Sequence, residues 1–373
     1  MAQTPSLTLC MIVKNEAENV AAALESALPH VDDAVLVDTG ATDETPDIVR
    51  KYPVRLYAFA WNDDFAAARN FAMEHVRTEW ILWLDADEQL AVLNQAQWQQ
   101  TWTAKARQAD ALLVPIHSYY GPTVDELKMH VHTAYRLLRK GAGLRYKQAV
   151  HEHLDMGTGP ARLDPDPVQG AVIWHYGYMD PARCQEKSAR NVRLLEKERE
   201  RPGYDPWIDY HLAVEHYRRG DFREAYEHVQ TSLRRFLELR RLPPALAYKL
   251  KYELLLVTGS TDRALEGIEL AIRLYPDYAD LHYYKGLFQY AQGQYAEAAQ
   301  TFAHCLKVGE STRYLTLRGA GSFMAAHMMG MCLEALGQRD EAVRHYERLV
   351  REFPGFEPPA ERLAALRQAK EGG

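Results

Sequence analysis

The feature that most restricts the fold is an alternation within the first ninety residues. Four short apolar runs, at 7–13, 34–37, 54–59 and 80–84, are separated by stretches of helical period at 18–28, 45–51 and 64–76. Runs of that length suit buried strands, and strands joined through helices pair in parallel, because a parallel neighbour needs a crossover of about a dozen residues or more. The expectation is a domain of βαβ units, with Asp43 placed to cap the second helix. Polar triplets follow three of the runs: Lys14-Asn15-Glu16, Asp38-Thr39-Gly40 and Asp85-Ala86-Asp87. Open α/β sheets bind ligands in the crevice at the carboxyl ends of their strands, so the three triplets are expected to converge there.

Beyond residue 98 the pattern is mixed. A strand-like run at 111–116, a loop around Gly121-Pro122 and a second apolar run at 171–174 precede a charged segment, 180–201, that reads as a helix ending before Pro202-Gly203. The rest repeats. Gly220, Gly259, Gly293 and Gly337, spaced 39, 34 and 44 residues apart, are each followed five residues later by an alanine: Ala225, Ala264, Ala298 and Ala342. Seven residues before three of the glycines stands another small residue, Ala213, Gly286 or Gly330, where two helices must approach closely; Tyr252 breaks the pattern. Pro276 and Pro354 sit where a second helix would end. A 34-residue period with small residues at a helix–helix contact resembles a tetratricopeptide array with insertions. The expected division is 1–180 for the α/β domain, 181–205 for a helical linker and 206–373 for the repeats.

Composition excludes several classes. With 25% charged residues and no apolar stretch near the roughly 18 residues of a membrane span, a transmembrane protein is ruled out. The opening Met1-Ala2-Gln3-Thr4-Pro5-Ser6 lacks a basic region, so no secretion signal is read. Cys10, Cys184, Cys305 and Cys332 are scattered without C-x-x-C spacing, which fits a reducing cytoplasm rather than a disulfide framework or zinc site. A formal charge of −7 argues against a nucleic-acid partner. There is no Gly-x-x-x-x-Gly-Lys loop, Gly-x-Ser-x-Gly elbow or His-Glu-x-x-His helix, so kinase, hydrolase and zincin readings lose their main support.

The most informative segment runs from Trp80 to Glu88, where an apolar strand delivers Asp85 and Asp87 at its end. Two carboxylates there suit a hard divalent cation that bridges to phosphate; the alternative is a loop whose aspartates cap the next helix. Asn15-Glu16 after the first strand, Asp38-Thr39-Gly40-Ala41-Thr42-Asp43 after the second and Asp85-Ala86-Asp87 after the fourth together resemble the nucleotide half of family 2 glycosyltransferases of the GT-A fold. Ala41 replaces the usual serine. Trp61-Asn62-Asp63-Asp64-Phe65, Val150-His151-Glu152 and His175-Tyr176-Gly177-Tyr178, with the repeats behind them, narrow the resemblance to bacterial glycosyltransferases with a C-terminal tetratricopeptide domain, a group that includes the bacteriocin S-glycosyltransferases.

That resemblance implies an α/β GT-A domain followed by an all-α repeat domain. It implies a metal-dependent, inverting hexosyl transfer from a nucleotide-diphosphate sugar, UDP-linked, using Mn2+ or Mg2+. Val13, Asn15, Glu16, Asp38, Gly40, Asp43, Arg69, Asp85 and Ala86 would hold the nucleotide, while Asp87, Asp85 and His175 would hold the metal. Asp87 and Glu152 would be catalytic, with Glu152 taking the acceptor's proton. Each residue has a plain alternative: a helix cap for Asp38 and Asp43, a surface salt bridge for Arg69, a core histidine for His175, and for Glu152 an ion pair with an arginine such as Arg136 or Arg145. The acceptor would be a peptide, a protein or a saccharide, and the repeats would dock it or form a homodimer. A catalytically inactive scaffold for protein interaction is the rival reading, and a sugar nucleotidyltransferase lacks its basic glycine-rich segment at Lys14-Asn15-Glu16.

Overall fold

A computed structural model describes residues 4–155, 161–261, 264–311 and 313–371, so Met1, Ala2 and Gln3, where the secretion-signal reading begins, lie outside it. Contacts group the chain into two compact units, Met1–Val124 with His132–Glu200, and Asp125–Val131 with Arg201–Gly373.

In the first unit the expected alternation is present as β1 (Leu7–Val13), α1 (Val20–Ala27), β2 (Asp33–Asp38), α2 (Thr45–Val49), β3 (Arg55–Ala58), α3 (Phe65–Glu74) and β4 (Trp80–Trp83). There follow β5 (Glu88–Val92), α4 (Gln95–Lys105), β6 (Ala111–Tyr120), β7 (Met129–Arg139), β8 (Arg145–Lys147), β9 (His153–Asp155), β10 (Ala171–Tyr178) and α5 (Pro181–Arg199). The strand-like runs at 111–116 and 171–174 are therefore the first parts of longer strands. The main sheet runs β3-β2-β1-β4-β7-β6-β10-β5. Its first four strands are parallel, whereas β7 is antiparallel to β4 and β5 to β10. Because β1 lies between β2 and β4, the winding reverses beside it, which is where an α/β sheet opens a crevice.

Both faces of this part of the sheet are covered, so β4 is apolar throughout and buried throughout. Trp80 and Leu82 join one core with Leu24, Trp98 and Trp102, while Ile81 and Trp83 join the other with Ala72 and Val76. That split is the period of two of an extended chain. Two caps fix helices near the strand ends: Asp64 accepts from the Ala67 N–H (2.9 Å) at the start of α3, and Asp180 from the Ala182 N–H (2.9 Å) at the start of α5. The segment read as a linker is thus, over 181–199, a helix of the first unit.

The second unit contains α6 (Trp207–Arg219), α7 (Phe222–Glu238), α8 (Ala245–Val257), α9 (Ala264–Leu274), α10 (Ala279–Ala291), α11 (Tyr295–Val308), β11 (Thr316–Leu317), α12 (Phe323–Ala335), α13 (Arg339–Glu352) and α14 (Pro358–Glu371). Gly220, Gly259, Gly293 and Gly337 adopt φ of 80°, 68°, 75° and 74° between the helices of successive pairs, a left-handed turn that only glycine makes without strain. The alanine five residues on is buried in each pair. A Cβ on Gly286 would lie 2.6 Å from the Phe302 ring, and one on Gly330 would meet Tyr346. Where Tyr252 breaks the pattern, the small residue has moved to the partner helix: Gly267 faces the Tyr252 hydroxyl, 2.9 Å from where a Cβ would be. The longest spacing holds an insertion that includes β11. It is tied down by Tyr278 and Lys249 donating to the Leu315 carbonyl (2.7 and 3.1 Å) and by the Leu317 N–H donating to Asp280 (3.0 Å). Among the described residues no helix is long and apolar enough to cross a membrane.

Candidate functional site

The carboxyl ends of β1, β2 and β4 are braced by the polar residues that follow them. Val13 ends β1, and its carbonyl accepts from the Thr39 N–H (3.0 Å). Asn15 takes a left-handed φ of 54°, and its side chain accepts from the Thr42 N–H (2.8 Å). Asp38 accepts from the Gly40 and Ala41 N–H groups (2.9 and 2.7 Å), so it shapes the turn after β2. Asp43 accepts from the Thr45 N–H (3.0 Å) and the Ala17 N–H (3.1 Å), joining the start of α2 to the loop after β1. Asp38 thus braces a turn and no helix, while Asp43 bonds the first residue of α2 from one position ahead of its cap, Glu44.

Beneath this rim lies an ion network. Arg69, on α3 and only 7% exposed, donates to Asp85 Oδ1 (2.8 Å) and to Glu152 Oε1 (2.5 Å), with its guanidinium 4.8 Å from the Trp83 ring centroid. Arg136, on β7, donates to Glu88 Oε1 (2.5 Å) and lies 3.4 Å from Asp85 Oδ2. Glu152 therefore pairs with Arg69, not with Arg136 or Arg145. Burial works against an ionised Asp85, yet Arg69 and Arg136 more than offset it and hold its carboxyl below the usual range. Burial pushes Glu88 the other way, upward, against the pull of Arg136.

Asp87 has different company. Its Oδ2 accepts from Lys187 Nζ (2.6 Å), a residue of α5, and its Oδ1 lies 3.7 Å from His175 Nε2. The pairing of β5 with β10, which sets His175 opposite Glu88, delivers the histidine there, and Nδ1 of the ring meets Ser118 Oγ (3.2 Å). Burial lowers the pKa of His175, which favours the neutral ring that binds metals. Gly177 completes the arrangement, since a Cβ there would collide with both the Asp87 carboxylate and His175 Nε2. Asp87 and His175 thus share one small space. A carboxylate and a neutral imidazole there fit an ion such as Mg2+ or Mn2+ that takes its other ligands from phosphate and water. Among the described residues no group of three or more His, Cys, Asp and Glu is arranged to hold a metal. Asp85, with both oxygens at arginines, is not part of that pair.

Next to this space is a cleft of about 270 Å³ lined by Lys14, Asn15, Glu16 and Thr39, by Trp61 and Phe65 at the entrance to α3, and by Arg183, Glu186, Lys187 and Arg190 of α5. Of the expected nucleotide residues, Asn15 and Glu16 line it. Val13 and Asp38 end β1 and β2, Gly40 and Asp43 lie in the loop after β2, Arg69 and Asp85 belong to the ion network, and Ala86 is buried against the core. Trp61 and Phe65 meet edge to face at 4.7 Å, and their loop is joined to α5 where Arg193 grips Asp63 with two bonds (2.9 and 2.8 Å). The α5 residues are the ones a reading of the sequence missed. Their signal was the spacing of Arg183, Lys187 and Arg190 at i, i+4 and i+7 on a charged helix.

Residues 8–155 match the family described as glycosyl transferase family 2, and residues 252–304 and 325–355 match tetratricopeptide repeat families. A TPR repeat-containing protein of Synechococcus elongatus is 29% identical over 282 residues, 73% of this chain and 67% of that protein. The SPbeta prophage-derived glycosyltransferase SunS of Bacillus subtilis is 27% identical over 202 residues, 52% of this chain and 46% of its own length. An uncharacterized glycosyltransferase of Rickettsia conorii is 31% identical over 88 residues, 24% of this chain and 31% of that protein. The chain thus spans about two thirds of the first relative and under half of the other two.

Proposed function

We propose that this chain, a family 2 glycosyltransferase domain followed by tetratricopeptide repeats, moves a hexose with inversion from a UDP-linked sugar to an acceptor recognised by the repeats, a peptide or protein in preference to a free saccharide. The observation that carries the reading is the meeting of Asp87 and His175 beside a cleft at the ends of β1, β2 and β4. The family match over residues 8–155 supports it.

In this reading Asn15 and Glu16 contact the nucleoside, with Asp38 and Asp43 shaping the loops that enclose it and Trp61 and Phe65 offering apolar faces. Asp87 and His175 would hold Mn2+ or Mg2+, which supplies Lewis-acid neutralisation of the leaving diphosphate. Arg69 and Arg136 fix Asp85 and keep the strand end rigid. The acceptor's oxygen or sulfur attacks the anomeric carbon as the bond from that carbon to the diphosphate oxygen breaks. The bond's electron pair leaves with the nucleoside diphosphate, and the acceptor's proton passes to Glu152, which Arg69 holds in place.

Melting-temperature shifts with UDP, GDP, dTDP and CMP, each with and without Mn2+, test the donor class. A preference for UDP that grows with Mn2+ in the wild type and loses its metal dependence in Asp87→Asn is the expected result. Nucleotide release from the UDP-sugar should fall about 1,000-fold in Asp87→Asn and about 100-fold or more in Glu152→Gln, which retains an acceptor for Arg69. No response of the wild type to any nucleotide would favour the scaffold, and unchanged turnover in Glu152→Gln would remove it as the base.

A further inference from the structure

Helix α5 sets three cations along one face. Arg183, Lys187 and Arg190 all line the cleft, and each is held at a different loop. Arg183 donates to Glu16 Oε2 (2.7 Å) and to the Asn15 carbonyl (3.1 Å) after β1, and Lys187 donates to Asp87 Oδ2 (2.6 Å) after β4. Arg190 lies over the Phe65 ring, 4.9 Å from its centroid, at the start of α3. With Lys14 the cleft carries four cations, against the carboxylates of Glu16 and Glu186 in its lining and of Asp87 beside it, a net positive charge of one on a chain whose formal charge is −7. A local excess of positive charge in a partly enclosed space is unfavourable until an anion answers it. The helix lies beyond residues 8–155, the part of the chain that matches the family.

We propose that Arg183, Lys187 and Arg190 form a diphosphate-binding face that grips the two phosphates of the donor independently of any metal. The inference rests on the reading of the cleft as a nucleotide-sugar site and adds to it the groups that hold the phosphates. Guanidinium groups bind phosphate oxygens through paired N–H donors and the lysine acts as a point charge. On binding, Lys187 exchanges the Asp87 carboxylate for a phosphate oxygen, which releases Asp87 to act with His175. As the bond to the sugar breaks, its electron pair adds one negative charge to the leaving diphosphate, and the three cations stabilise that charge without giving up a proton.

The test is calorimetric titration of the full chain in EDTA with UDP, GDP and dTDP and with uridine, guanosine and thymidine. Wild type is compared with Lys187→Gln, Arg190→Gln and Lys187→Arg, each checked by its circular dichroism and melting temperature. For the base that binds, the diphosphate should bind about 30-fold or more tightly than the nucleoside. Either glutamine variant should lower that ratio about ten-fold while the nucleoside affinity holds, and Lys187→Arg should keep it. Should one glutamine variant fail to fold, the other carries the comparison. A ratio near one in wild type, or the same ratio in every variant, overturns the phosphate face and leaves the donor reading standing. A wild type that binds none of the six compounds, with or without Mn2+, overturns both.

Discussion

A buried carboxylate needs a counter-charge, and the acids of the candidate site meet that need in different ways. Asp85 sits between Arg69 and Arg136, Glu88 relies on Arg136, and Glu152 relies on Arg69, of which Arg69 is buried and Arg136 nearly so. Asp87 pairs instead with the flexible, partly exposed Lys187, a partner that can leave. Histidines show the converse cost. His345 of α13 donates from Nε2 to the Ala326 carbonyl (2.7 Å) and accepts at Nδ1 from Arg348 (3.1 Å), which fixes a neutral ring. Burial above all lowers its pKa below 6.5; the bond to the Ala326 carbonyl pulls next, upward, Arg348 adds to the lowering, and Glu352 opposes it least. The unfolded chain therefore takes up the proton before the folded one. Stability from this group is full above the ordinary histidine value and is lost as pH falls below it. Between about pH 7.5 and about pH 5.5 the melting temperature of His345→Gln should fall less than that of wild type. An equal or steeper fall would show that burial does not keep the ring neutral.

At the level of elements, the repeats depend on pairing a small residue with a large one where two helices touch. Gly286 faces Phe302 and Gly330 faces Tyr346, whereas in the pair of α8 and α9 the large residue, Tyr252, is on the first helix and Gly267 on the second. The exchange preserves the volume at the contact, which close packing requires more strictly than it requires a residue at a given position. Gly267→Ala should destabilise the wild type by about 1 kcal/mol or more, because its Cβ would meet the Tyr252 hydroxyl. In Tyr252→Phe, where the next ring atom is 3.9 Å away, the same change should instead stabilise by about 1 kcal/mol through helix propensity. Urea denaturation of the four proteins of this cycle checks the prediction, and additive effects would contradict it.

For the whole molecule, the residues assigned to donor binding all belong to the first unit, and the repeats belong to the second. Hydrogen exchange should therefore show nucleotide protecting the loops after β1, β2 and β4 and helix α5, and a protein acceptor protecting helices within 201–371. Glycosylation of a protein acceptor without any protection of the repeats would remove them from acceptor recognition. The sequence by itself determined the parallel strands, the polar triplets at their ends and the glycine–alanine register, since each is a local or periodic signal written into consecutive residues. It also carried the family resemblance, whose motifs stand at those same strand ends. Only the tertiary structure decided the partners. Arg69 reaches Glu152 across 83 residues, Lys187 reaches Asp87 across 100, and the pairing of β5 with β10 sets His175 opposite Glu88. Strand order and the docking of α5 determine those approaches, and neither leaves a period in the sequence. The same reason explains why 181–199 reads as a linker yet lines a cleft, and why Tyr252 reads as a break in a pattern that Gly267 restores from the facing helix.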